Sequence, residues 1–161
     1  MAADSEQSMT HSRRRDEPLE IRVGCGIGPF ALGQTRDEVH GLTREPLESY
    51  FPQTWSKVRS DGHPLLGVTV SYDDDGLVNH ISAYTQLRHG RSNVVFEGER
   101  LHEATRGTVT ILLHRLGAAM EATGESIIVP SLGLEFGFRE IGDDPSESDP
   151  CDWAVVEAKP R

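Results

Sequence analysis

Apolar residues in this chain either alternate with polar ones or recur at helical spacing, in short runs separated by glycine, proline and aspartate. Leu19, Ile21 and Val23 alternate with Glu20 and Arg22, which predicts a strand. A glycine-rich turn follows, Gly24-Cys25-Gly26-Ile27-Gly28-Pro29. Thr35-Arg36-Asp37-Glu38 then has the capping-box form, in which the Thr hydroxyl and the Glu carboxylate each satisfy a backbone N–H at a helix start. Val39 and Leu42 make the apolar stripe of that helix, and Gly41 and Pro46 keep it short. Residues 43–64 carry no clear period, and Tyr50, Phe51 and Trp55 are expected to anchor them into the core. Val68, Val70 and Tyr72 alternate with Thr69 and Ser71 as a half-buried strand. Asp73-Asp74-Asp75-Gly76 is its turn, because Asp-Gly supports the positive φ a hairpin needs, and Leu77 to Tyr84 returns as the partner. Further strands are expected over 92–97, 127–129, 132–138 and 153–157, with an acidic loop over 142–150. The clearest helix runs from Thr105 to about Met120, where Val109, Leu112, Leu113, Leu116 and Met120 form one stripe.

Self-similarity organises these elements. Thr35-Arg36-x-x-Val39-x-x-Leu42 recurs as Thr105-Arg106-x-x-Val109-x-x-Leu112, and Leu66-Gly67-Val68-Thr69-Val70-Ser71-Tyr72 recurs as Leu132-Gly133-Leu134-Glu135-Phe136-Gly137-Phe138. The two matches keep their order and pair helix with helix and strand with strand. The expected fold class is therefore α+β: two strand-helix-hairpin units, over about 19–90 and 91–161, sharing one antiparallel sheet with the helices packed on one side. Residues 1–18 are polar, lack aromatics and read as a disordered tail ahead of that single domain.

The net charge of −10 changes the picture of partners. Phosphate repulsion argues against nucleic acid, whereas a basic protein fits. No run approaches the roughly 18 apolar residues of a spanning helix, and Arg13-Arg14-Arg15 is followed by Asp16-Glu17-Pro18 where an export signal would turn apolar. A cytoplasmic location with reduced Cys25 and Cys151 is expected.

Catalytic and metal motifs are each incomplete. The turn at 24–28 is G-x-G-x-G-P, not the G-x-G-x-x-G of dinucleotide folds, and the G-K-[ST] of a phosphate loop is absent. On a calcium-loop register, Ser71 and Ser82 occupy the positions of the first ligand and the bidentate Glu. His102-Glu103 starts a zinc-protease motif, but Arg106 stands where its second histidine belongs. His63, His80, His89 and His114 are scattered, and no G-x-S-x-G elbow occurs. Neither a cofactor nor a catalytic residue is therefore assigned. Surface remains: the turn acids Asp73, Asp74 and Asp75 and the loop acids Asp143, Asp144, Glu147 and Asp149 are the candidate partner-binding residues. If the units are equivalent, the two acidic segments follow equivalent strands and would form one negative face.

The stretch from Gly26 to Val39 resembles a phrase of small bacterial proteins, G-x-G-P-x-x-L-G-x-T-x-x-E-V, followed there by a hairpin like Val70-Ser71-Tyr72-Asp73-Asp74-Asp75-Gly76. Some of those proteins look like immunity proteins of bacterial toxin systems. The L-G-x-T-x-x-E-V part is also similar to the helix start of the outer-membrane assembly lipoprotein BamE, whose lipobox cysteine and signal this chain lacks. The resemblance implies a fold element and, with the charge, a non-enzymatic immunity-type module binding a basic partner through an acidic face. The alternative is a small-molecule or metal-binding domain, or a small enzyme, with a pocket between the units near Cys25 or His80.

Overall fold

The longest alternating runs pair edge to edge into one eight-stranded antiparallel sheet. The computed structural model describes residues 17–44, 47–50, 59–87 and 90–158. At the centre of the sheet β7 (Val78–Tyr84) pairs with β15 (Cys151–Glu157). From β7 the order continues outward through β6 (Val68–Tyr72), β5 (Ser60–His63) and β4 (Glu48–Tyr50). From β15 it continues through β14 (Leu134–Phe138), β13 (Ser126–Val129) and β12 (Glu121–Ala122). The two halves of the chain thus each fill one side, in the same order counted from the middle.

A second, five-stranded sheet has the order β11-β10-β1-β2-β3. Its centre is a parallel pair of β1 (Leu19–Arg22) with β10 (Val94–Phe96). Each of those strands turns back as a hairpin, β1 onto β2 (Gly26–Ile27) and β10 onto β11 (Glu99–Arg100), and β3 (Phe30–Ala31) pairs with β2. A short ribbon of β8 (Gln86–Leu87) and β9 (Gly90–Arg91) joins the halves. The helices are α1 (Arg36–His40), five residues long, and α2 (Arg106–Arg115), ten residues long.

The expected α+β class is therefore corrected. The described residues are mostly strand, in three sheets, and the layer against the large sheet is a second sheet with two short helices, not a helical layer. The physical reason lies in the glycine turns. Residues 26–31 were expected to be a connection, yet they fold back into β2 and β3 and cover the core themselves. Helix α2 also ends earlier than Met120, because Gly117 takes a left-handed φ of 68° and returns its N–H to the His114 carbonyl. Leu116 is exposed, and Met120 reaches the core from the segment after the helix.

The core lies between the two sheets. Register places Ile127, Phe136, Ala154, Ala83 and Val68 in one row on the inner face of the large sheet. A second row runs Val129, Leu134, Val156, Ile81 and Val70, where its apolar part stops before Asp61 and Ser49. Leu19, Ile27, Phe30, Val94 and Phe96 face these rows from the small sheet, with Val39, Val109 and Leu113 from the helices. Phe96 meets Phe136 across the layers with ring centroids 5.0 Å apart. Of the expected anchors, Tyr50 is exposed, and Phe51 and Trp55 lie outside the described residues, as does most of the expected tail.

Candidate interaction surface

The two acidic segments lie at opposite ends of the large sheet. Strand β7 leaves the 73–77 turn at Val78, opposite Tyr72, and ends at Tyr84, opposite Trp153 near the start of β15. The loop of 139–150 leads into that start, so the length of β7, about 20 Å, separates the two acidic tips. A single face holding both is excluded by this register. Each tip instead abuts its own helix start: Thr35 bridges Leu77, and Thr105 bridges Pro150.

Two of the seven candidate acids act internally. Asp73 shapes its turn, its Oδ1 accepting from the N–H groups of Asp75 and Leu77 at 2.9 and 3.0 Å. Asp149 is fully buried at 0% exposure, accepts from the Ser146 N–H at 2.9 Å and faces Arg106 at 4.0 Å. Asp74, Asp75, Asp143, Asp144 and Glu147 are exposed.

The densest polar cluster surrounds a residue with no sequence signal, Asp61. It is 1% exposed and sits on the inner face, next to Val70 where the apolar part of the second core row stops. Its Oδ2 accepts from Tyr72 Oη at 2.6 Å, His40 Nε2 at 2.8 Å and Arg36 Nε at 3.2 Å. Its Oδ1 accepts from Ser49 Oγ at 2.5 Å and Arg36 Nη2 at 3.3 Å. Burial pushes the carboxyl up, but the hydrogen bonds from Ser49, Tyr72, Arg36 and His40 outweigh it and bring it down to about 2. The same burial, and then the Asp61 contact, raise the Tyr72 hydroxyl well above the usual phenol range. An ionised carboxylate only accepts, so His40 Nε2 carries its proton. Ser49 donates to Asp61 itself, so the cluster contains no serine activated by histidine. It fastens α1 and β4 to β5.

The outer face of the large sheet is of a different kind. Its central row reads Glu135, Val155, Ser82, Thr69, Gly62 and Glu48 from β14 to β4. Beside it, Trp153 pairs with Tyr84 on one side, while Glu157 pairs with His80 on the other. Tyr84 is 50% exposed. Trp153 lies over Gly137, where an added Cβ would stand 1.8 Å from the ring atom Cε2, so the ring's seat requires glycine. Val155 is the one buried apolar residue among the described ones outside the core cluster, which fits its place on this face. Burial, and then the charge of Glu157, raise the Glu135 carboxyl, and burial lowers His80 against the opposing pull of Glu157.

The remaining sites are modest. Cys25 is exposed and Cys151 buried, both as free thiols, and burial pushes the Cys151 thiol up to about 12. Near the Cys25 turn a surface depression of about 360 Å³ is lined by Pro18, Glu20, Arg22, Gly28 and Pro29. The Arg22 guanidinium there donates to the Gly28 carbonyl at 2.8 Å. Among the described residues no three His, Cys, Asp or Glu side chains group to hold a metal, and no helix is long and apolar enough to cross a membrane. His89 lies outside the described residues.

In comparison with known proteins, no family model matches the chain, and no curated protein or solved structure does so either.

Proposed function

We propose that this chain is a non-enzymatic, cytoplasmic protein-binding module whose working surface is the outer face of the eight-stranded sheet. The observation that carries this reading is that Trp153 and the exposed Tyr84 stand opposite each other on the strand pair at the centre of the sheet. Aromatic rings bring large contact area with few bonds to freeze, and they are enriched in the energetic centres of interfaces. The Trp153 ring is already seated on Gly137, so little order remains to be imposed when a partner arrives. The residues of the adjoining row, Val155, Ser82 and Thr69, are short, which leaves a flat floor beside the two rings. An immunity-type role, in which this face covers the basic site of a toxin, is the case that the sequence resemblance suggests.

The test is capture from native-host lysate by the tagged protein, eluted in salt steps and repeated with two variants. Tyr84→Arg changes the face at an exposed position, and Asp74→Lys/Asp75→Lys reverses one acidic tip. A protein captured by the wild type and by the tip variant, but not by Tyr84→Arg, supports the reading. Capture that survives Tyr84→Arg and is lost in the tip variant returns the binding surface to the loops.

A further inference from the structure

The outer face is also uniform in charge. Glu48 and Glu121 stand on its outermost strands and Glu135 and Glu157 near its centre, and none of its described residues is an arginine or lysine. No ion pair engages Glu135 or Glu157 among the described residues. The pair is diagonal in the ladder, since Glu135 lies opposite Val155 and Glu157 is two residues further along β15. That puts their Cβ atoms roughly 7 Å apart on the same face, close enough for the carboxylates to repel. Trp153 stands two residues from Val155 on the other side. Val155 is therefore flanked by two carboxylates and by Trp153.

We propose that the occupant of this face is a basic protein segment, one arginine or lysine of which lodges between Glu135 and Glu157, beside Val155 and Trp153. This deepens the protein-binding reading above and rests on it. A cation relieves the carboxylate repulsion and is attracted to an aromatic face. Nucleic acid is disfavoured by four carboxylates. A second copy of the chain would set one acidic face against another.

The experiment is an amide NMR titration of the whole protein with the peptide acetyl-Gly-Arg-Gly-Arg-Gly-amide, beside its citrulline counterpart. The arginine peptide gives saturable shifts at Ser82, Glu135, Val155 and Glu157. Affinity falls about tenfold for the citrulline peptide and for Glu135→Gln/Glu157→Gln, which keep shape and remove charge. Equal shifts from the citrulline peptide, or shifts centred on residues 73–77 and 142–149, overturn the proposal. Partner capture abolished by Tyr84→Arg but untouched by Glu135→Gln/Glu157→Gln would discard the cation and leave the protein-binding face standing. Self-association in sedimentation equilibrium that Tyr84→Arg removes would give the face to a second copy and overturn it as well.

Discussion

Both helices begin with the dipeptide Thr-Arg, and in both the arginine reaches a buried aspartate, yet the two clamps are built differently. Arg36 comes from the surface, with its side chain 46% exposed, and shares Asp61 with Ser49, Tyr72 and His40. Arg106 is interior, with its side chain 10% exposed. It donates to the carbonyls of Gly124 and Thr123 at 2.7 and 3.4 Å and lies 4.8 Å from the centre of the Phe138 ring. Its Nε lies 4.0 Å from the Asp149 Oδ2, and neither that Nε nor the Asp149 Oδ1 has a hydrogen-bond partner. The aspartates also come from different places, one from strand β5 and the other from the loop before β15. The repeated phrase specifies the helix start; what its arginine meets is decided by the tertiary structure. Where one carboxylate is shared by many donors, no single donor is critical. Where a buried charge has one charged partner, each depends on the other.

The largest effect should separate the clamps. Arg106→Ala leaves Asp149 buried and without its counter-charge, and loss of one member of a buried pair costs about 3–5 kcal/mol. Arg36→Ala leaves Asp61 with three other donors and costs about 1 kcal/mol. Urea unfolding of the two variants reads the contrast, and equal losses would show that the clamps are energetically alike.

A pH dependence sharpens the same contrast. The folded Asp61 carboxyl titrates at about 2, below its ordinary value, so the folded state binds its proton less readily than the unfolded chain does. The stabilisation is therefore present in full above about pH 4 and is lost as pH falls through about 2, and we expect it to amount to about 1–2 kcal/mol. Asp61→Asn has no such proton to bind. The stability gap between wild type and Asp61→Asn should shrink by that amount between about pH 4.5 and 2, and a gap constant over this range would remove Asp61 from the acid limb. Tyr72→Phe is milder, because it deletes one donor of several, and should cost about 1 kcal/mol at neutral pH.

These sites also show which parts of the molecule were legible in the sequence. Strands β1 and β6 announced themselves by alternation and β7 as the return of the Asp-Gly hairpin, β10, β13, β14 and β15 were also expected as strands, and the Thr35 cap formed as its capping box implies, with Glu38 returning to the Thr35 N–H. Strand β5 did not, because its inner-face positions hold Asp61 and His63 where the pattern asks for apolar residues. A polar strand becomes visible only when the partners that satisfy it are known, and Arg36, His40, Ser49 and Tyr72 are spread over thirty-seven positions of chain. The acidic residues were visible as composition, but their separation follows from antiparallel register. Equivalent hairpins on either side of the β7–β15 pair point in opposite directions. The outer face was hidden for the same reason: Trp153 and Tyr84 are sixty-nine positions apart and are brought opposite each other only through pairing.

The smallest expected effect tests why the helix starts differ at their second residue, Asp37 in α1 and Gly107 in α2. The N–H of Gly107 donates to the Glu147 carbonyl at 2.8 Å, and the N–H of Arg106 donates to the Asp149 carbonyl at 2.9 Å, so the acidic loop is tied directly to the helix start. A Cβ at 107 would stand 3.3 Å from both the Cβ and the carbonyl oxygen of Glu147. That is a tight contact, but Glu147 is exposed and its loop can give by a few tenths of an ångström. Alanine also restrains the unfolded chain more than glycine does, worth up to about 1 kcal/mol in a helix. The two terms oppose each other, and Gly107→Ala should change stability by less than about 0.5 kcal/mol. Gly107→Asp copies the start of α1 but sets a carboxylate beside Glu147, and it should be the less stable of the two variants. If Gly107→Ala instead costs as much as Arg106→Ala, the loop is held as rigidly as the core, and the tie between loop and helix start, not the buried ion pair, is what fixes the second clamp.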